Sequence, residues 1–526
     1  MANETCAAFD DGDLVDGLDR KALSRFIVGA DPKPRKMTAS EVNALGDVFA
    51  STFFAKKRIP QSAEDIIERI KAGAPKKSQL RTQKSFVVGE GSQIAMSADT
   101  ATVPRTLRFL VTLGSGPTGP DVFLSSGHPK LIAPVEVMAW DRKAGGFNYY
   151  RSTGPGAWMF AGNSRDAVRD SSRGKGPFES HPSGSLIMKE LKTPWINWHS
   201  PAASIFGTVF AANDTRRDHE WFDKKEPEGA LAFEFGAARP AIERWTRARF
   251  ASLRDGGGTV TRPQHVMEQV LGSRRRSTVN LVTTHVQSSA LGPSSELDLP
   301  PTFFVDSEGL SGVLGLDEPP AFRLSGRIYA KCLTKFQVRM EDGEGFVRKG
   351  DTHFCFLVPE RAFEDQALLR EAIEIGLLGK RLAACLLMVD PWNPIFSERR
   401  AALLRHVPPT ARIAKGKSTF SQEMASAILA AAKAGPPDSP EAEFAQRWKA
   451  GPNFKKPFNR LLNRYYKAVE GKLKTQAGFE PYFKLAEERR KTFHEMPISE
   501  FPLLLPKTNI ERAPRRMKPD GTVGVG

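Results

Sequence analysis

Apolar positions recur at two periods along this chain, and the change of period divides it. Thr38-Ala-Ser-Glu41 has the form of a capping box, in which Thr accepts a backbone N–H and Glu reaches back. Val42, Leu45, Val48, Phe49 and Phe53 follow at helical spacing. Ser62-Ala-Glu-Asp65 marks a second start, with Ile66, Ile67 and Ile70 on one face and Gly73 near the stop. Residues 38–73 therefore read as a helical pair, preceded by a loosely ordered lead-in over 1–36.

From about residue 82 the texture becomes that of strands. Phe86–Val88, Leu107–Leu113, Val135–Trp140, Phe147–Tyr150, Trp158–Phe160 and Leu186–Met188 are short β-type runs separated by Gly and Pro clusters. Asp141–Gly146 has the length of a hairpin connection. Helical spacing returns over 238–272. Val279–Val286 and Thr302–Val305 read as strands, and Phe322–Met340 with Phe346–Val358 as a hairpin. Residues 361–388 carry a long helical pattern, stopped at Pro391-Trp-Asn-Pro394, and 416–434 and 441–495 are mainly helical. The Pro-rich end from 497 reads as an extended arm. These elements predict an α+β protein: a central, mostly antiparallel β-rich body, an N-terminal helical pair and a C-terminal helical region. The expected divisions are an N-terminal helical segment (1–78), the β-rich core (79–358), the C-terminal helical region (359–496) and a basic tail (497–526).

Composition narrows the function classes. The 526 residues carry a net charge of +16, and residues 451–526 hold 16 Lys+Arg against 8 Asp+Glu, so half of the excess lies there. A field of this sign attracts nucleic acid, anionic lipid or anionic small molecules. The four cysteines (Cys6, Cys332, Cys355, Cys385) form no CxxC pair. That speaks against a disulfide framework and suits a reducing compartment. The acidic start has no apolar signal core, and no apolar run reaches the ~20 residues of a membrane span. A cytoplasmic protein without membrane insertion is expected. GxxxxGK[ST] and GxSxG are absent from the sequence, which disfavours phosphate-loop and α/β-hydrolase chemistry; Gly114-Ser-Gly-Pro-Thr-Gly119 has the GxGxxG spacing after a strand run, but it lies in a Gly/Pro cluster with no helical pattern behind it, which disfavours a dinucleotide site.

The window from His128 to Trp221 is chemically dense. It holds four of the nine His (His128, His181, His199, His219) and five of the eight Trp, mostly in Gly- and Pro-rich loops. Imidazoles with one carboxylate suit a transition metal. The expected ligands are His181, Glu190 and His199, with iron preferred over copper or zinc, and non-covalent haem as a variant. Trp195 and Trp198 would wall the pocket. His285 would serve as a base or further ligand, and Lys189 or Arg165 would hold an anionic group of a small-molecule substrate. On this reading the protein is a metal-dependent oxidoreductase. The competing reading is that these His cap loops through backbone carbonyls, and the spacing matches no known metal signature. Two further strand faces are candidates: Thr283, His285 and Gln287, and Asp351, His353 and Cys355. On the latter, His353 would sit close enough to lower the Cys355 thiol pKa.

Phe454–Lys467 interleaves aromatics with cations. Tyr465, Tyr466, Arg460 and Arg464 suit base stacking and phosphate binding, which would make the protein a nucleic-acid-binding or assembly protein. The preferred reading of the same residues is an amphipathic helix with Phe458, Leu461, Leu462 and Tyr465 buried and its cations in water.

Overall fold

The computed structural model describes residues 18–89, 107–127, 135–154, 156–179, 181–185, 230–255, 257–273, 278–284, 286–341, 347–352, 354–495 and 506–525. The chain divides into two compact units between Arg249 and Phe250, each with its own buried core.

The first unit is built on one eight-stranded sheet: β1 (Leu23–Arg25), β2 (Arg35–Lys36), β3 (Gln83–Gly89), β4 (Leu107–Leu113), β5 (Val122–Ser126), β6 (Val135–Asp141), β7 (Gly146–Gly154) and β8 (Ala157–Asn163). The strand order is β2-β1-β8-β7-β6-β5-β4-β3. β3 to β8 form an antiparallel meander, and β6 and β7 meet at the Asp141–Gly146 turn, as the pattern predicts. β1 adds in parallel to β8, with Leu23 opposite Trp158, so the sheet is mixed. The sheet is antiparallel at every pairing but β1–β8, and one expectation is corrected: residues 23–36, read as a lead-in, supply two of its strands. Only Leu23 and Ile27 of that stretch are fully buried apolar anchors, too few for a visible period.

Both faces of the sheet are covered, which is why β7 and β8 are buried along most of their length. On one face lie α1 (Ala39–Ala44), α2 (Val48–Thr52) and α3 (Ala63–Gly73). The Thr38 capping box forms, with Glu41 N–H donating to Thr38 Oγ1 at 3.2 Å and Thr38 N–H to Glu41 Oε2 at 2.8 Å. Ser62 caps α3, whose Ile66, Ile67 and Ile70 are buried. Phe49 of α2 packs edge-on to Tyr150 and against Trp158. On the opposite face α4 (Arg239–Arg249) buries Trp245, and Phe233 sets its ring against Phe86 and Phe123.

The second unit is mainly helical: α5 (Pro263–Val270), α6 (Gly326–Lys335), α7 (Phe363–Glu374), α8 (Lys380–Leu387), α9 (Phe420–Ala434), α10 (Pro440–Trp448), α11 (Lys455–Leu473) and α12 (Gln476–His494). Its strands form small pairs and one three-stranded sheet. Three expectations change here. Phe322–Met340 is a strand to Ser325, then α6, because Tyr329, Cys332 and Phe336 bury at helical spacing, and a strand again at Arg339–Glu341, where it pairs antiparallel with Val347–Lys349 as the end of the expected hairpin. The long pattern over 361–388 is two helices. Gly376 separates them at φ +77°, and a Cβ there would collide with the Gly416 carbonyl, so the chain turns where only Gly fits. The last residues are not an extended arm. Arg515–Met517 pairs with Val523–Val525, pinned by Asn393, whose amide donates to Met517 O at 2.9 Å and whose Oδ1 accepts Met517 N–H at 3.0 Å.

The interior of this unit holds charge. Arg361 donates to Asp306 at 2.5 Å and to Gln269 O at 2.8 Å, with Asp365 at 3.6 Å. Arg400, 1 % exposed, donates to the carbonyls of Leu271, Asn393 and Pro394. These guanidiniums bind loops to helices by satisfying carbonyls that would otherwise be buried without donors.

Candidate functional site

Of the residues the sequence singles out for metal, cofactor or catalytic work, Lys189, Glu190, Trp195, Trp198, His199 and His285 lie outside the described residues, as do His128, His219 and His353. His181 is described. It ends a turn that follows the 3-10 segment Gly176–Glu179, its N–H donates to Pro177 O at 3.1 Å, and its Nδ1 lies 3.1 Å from Ser185 O. Its ring tilts against Tyr149 of β7. This is the loop-capping geometry weighed against ligation. Beside it, burial lifts the Glu179 carboxyl to about 7. Glu179 Oε2 and the hydroxyls of Ser183 and Ser185 are buried and have no hydrogen-bond partner among the described residues. Arg165 is exposed; it donates to Ala144 O at 3.2 Å and lies over the Trp245 ring. Among the described residues no group of three or more His, Cys, Asp or Glu is arranged to hold a metal ion.

The two expected strand faces do not form. The strand at Val279 ends at Val282, and Gln287 makes only an isolated bridge to Phe354. Asp351, Thr352 and Cys355–Leu357 lie outside any strand, with Phe356 at φ +57°. The Asp351 carboxylate accepts the Tyr329 hydroxyl and the N–H groups of Thr352 and Phe356, so it organises the loop. Burial pushes the Cys355 thiol up to about 12, the opposite of an activated thiolate.

The feature that does assemble is an open groove along α11, enclosing about 610 Å³. Its lining is Lys455, Lys456, Asn459, Arg460, Asn463, Arg464 and Lys467, with Asp317 from a neighbouring turn. On a helix of 3.6 residues per turn these positions fall on one side. The other side carries Phe458, Leu462, Tyr465, Tyr466, Val469 and Leu473, all buried. Amphipathicity fixes the orientation: the aromatic face anchors the helix and the cationic face is left to solvent. Tyr465 donates to Phe304 O at 3.1 Å, and burial raises both tyrosine pKa values. Tyr465 and Tyr466 are therefore core residues and unable to stack on a ligand, whereas Arg460 and Arg464 face the groove.

The electrostatics are one-sided. None of Lys455, Lys456, Arg460, Arg464 and Lys467 forms an ion pair with a carboxylate among the described residues. The first turn of α11 holds no acid and two lysines. Cations at the positive end of a helix dipole are unfavourable by roughly 0.3–1 kcal/mol each at the surface, and an anion there relieves it. Asp317 is the one opposing charge in the lining. Its backbone N–H donates to Asn459 Oδ1 at 3.1 Å, which fixes the turn against the helix. Sequence reasoning located the cations but had no access to Asp317, which lies 142 residues from Asn459. No helix among the described residues is long and apolar enough to cross a membrane. Compared with known proteins, the chain matches no family model, no curated relative and no solved structure.

Proposed function

We propose that the protein binds nucleic acid through the cationic face of α11. The carrying observation is the row of five cations along one groove, none with an ion-pair partner among the described residues. Phosphate backbones are met by such rows, and the counterions they release supply sequence-independent affinity. The overall charge of +16 adds long-range attraction. The test is binding of a labelled oligonucleotide at rising salt, by the wild type and by Lys456→Glu/Arg460→Glu/Arg464→Glu. The expected result is affinity that falls steeply with salt and is lost in the triple variant. Salt-insensitive binding, or a variant that binds like wild type, overturns the reading.

A second reading is a cytoplasmic metal-dependent oxidoreductase, iron preferred, acting on a small molecule in the loops around His181. One observation favours a functional site there: a half-buried carboxyl lifted to about 7 beside His181, with two buried hydroxyls, Ser183 and Ser185, that have no hydrogen-bond partner among the described residues. The proposed ligands Glu190 and His199 and the base His285 are tested by elemental analysis of untagged protein. Stoichiometric metal lost in His181→Ala and His199→Ala supports it, and metal-free protein from aerobic and anaerobic preparations overturns it.

A further inference from the structure

We infer that the ligand of the α11 groove is a double-stranded nucleic acid held by its backbone, rather than a single strand; the inference rests on the nucleic-acid reading above. Proteins that hold single strands combine a basic channel with exposed aromatic rings on which unpaired bases stack. The α11 groove has the first part without the second. Phe454, Phe458, Tyr465 and Tyr466 are all buried in the core. Among the described residues the large apolar side chains left exposed are Phe235, Val347 and Val525, none of which lines the groove. An unpaired base entering it would meet amides and cations and find no aromatic ring to stack on, only the guanidinium planes of Arg460 and Arg464.

The shape of the cationic row leads the same way. Lys456, Arg460, Arg464 and Lys467 stand on a continuous helix, so their spacing is fixed. At 1.5 Å per residue the row spans about 17 Å. One strand of a duplex presents a phosphate every ~3.4 Å of axis while winding about it, so the straight row meets at most about five phosphates of a stiff backbone, without having to order it. A flexible single strand has to be straightened to meet the same row, and that ordering is not offset by stacking on aromatic rings. The Asn459 and Asn463 amides stand between the cations, and Asn459 Oδ1 is already occupied by the Asp317 N–H. The groove therefore offers contacts suited to phosphate and sugar more than to base edges, and binding is expected to be indifferent to sequence.

The test uses the full chain and two labelled DNA probes, a duplex of about 20 base pairs, long enough to overreach the row, and one of its strands alone. Fluorescence anisotropy is read across a salt series, with the triple charge-reversal variant as control and its circular dichroism and denaturant midpoint checked against wild type. The expected result is duplex binding about tenfold or more tighter than single-strand binding, with the duplex affinity lost in the correctly folded variant. Equal or tighter binding of the single strand, also lost in the variant, overturns the duplex inference while leaving the nucleic-acid reading standing. Binding of neither probe overturns both. Anionic lipid vesicles that displace the duplex at equal phosphate assign the groove to a membrane surface and likewise overturn both.

Discussion

Asp47 and Tyr150 are joined by a 2.5 Å hydrogen bond inside the first unit, although 103 residues separate them in the chain. The same carboxylate caps α2 through the Ala50 N–H at 2.8 Å and accepts the Asn148 amide at 2.7 Å. One side chain thus ties a helix to the sheet it covers. Asp47→Ala removes a cap, worth about 0.5–2 kcal/mol. It also leaves the buried Tyr150 hydroxyl without its acceptor, at about 1–3 kcal/mol, and the Asn148 amide with Asp141 alone. A loss of about 3 kcal/mol is expected in urea unfolding followed by tryptophan fluorescence, with Tyr150→Phe losing less. A wild-type midpoint for Asp47→Ala would show that the network carries no stability.

Burial separates two arginines of the second unit in the same way. Arg361 is 6 % exposed and joined to Asp306 and Asp365, whereas Arg323 sits on the surface 3.4 Å from Glu296. Arg361→Met strands two buried carboxylates, and the expected loss is about 3–5 kcal/mol. Arg323→Ala breaks a solvated pair, and about 1 kcal/mol or less is expected. Denaturant curves of the two variants check the ordering; equal losses would mean that the interior pair is not buried as described.

Cys332, Cys355 and Cys385 are buried and unpaired, and burial pushes each thiol up to about 12. A thiol in that state is neither ionised nor reachable near neutral pH. In a Cys6→Ser background a thiol reagent at pH 8 is expected to label none of the three quickly, and all three after unfolding. Rapid labelling of native protein would contradict the assigned packing.

What the sequence made legible follows from how local each signal is. The Thr38 box, the Ser62 cap and the Asp141–Gly146 turn are each specified within a few residues, and each forms. The fates of Gly376 and of Leu23–Arg25 depend on chain segments far away, namely Gly416 and Trp158, so no local period announces them. Phe322–Met340 misleads for another reason: a short alternating strand runs directly into a helix, and the two periods blur at Ser325 and Gly326. At the α11 groove the amphipathic and phosphate-binding readings do not compete, because they occupy opposite faces of one helix. Only the stacking role of Tyr465 and Tyr466 conflicts with their burial. Glu190, His199 and His285 fall outside the described residues, and the metal reading still rests on composition.

The groove supplies its own internal control in Asp317, a carboxylate among cations whose backbone alone holds the turn to Asn459. Arg464→Ala is expected to weaken duplex binding and to flatten the slope of log affinity against log salt by about 0.9, one phosphate contact. Asp317→Asn removes a repelling charge and is expected to tighten binding a few-fold. Measuring both variants on one probe separates a directed interaction from general charge attraction. If the two changes move affinity in the same direction, the groove is not the contact surface.

Glu179 gives the first unit a pH signature with a definite sign. Its carboxyl has an ordinary pKa of 4.5 and stands at about 7 in the fold, through burial alone. Between those values the folded state keeps a proton that the unfolded chain has released. Stability therefore falls as pH rises from 4.5 to about 7, and the whole penalty is present above that. Glu179→Gln abolishes this titration while leaving a neutral polar group in place. Any fixed cost of the amide appears equally at every pH, so the informative quantity is the change in the variant–wild-type difference. Relative to pH 4, the variant is expected to gain about 1 kcal/mol at pH 8, after discounting for solvent screening at this half-exposed site. Urea unfolding of both proteins across that range provides the measurement. A difference that stays constant with pH would mean that Glu179 titrates like a solvated carboxyl, and would remove the strongest physical support for a functional site beside His181.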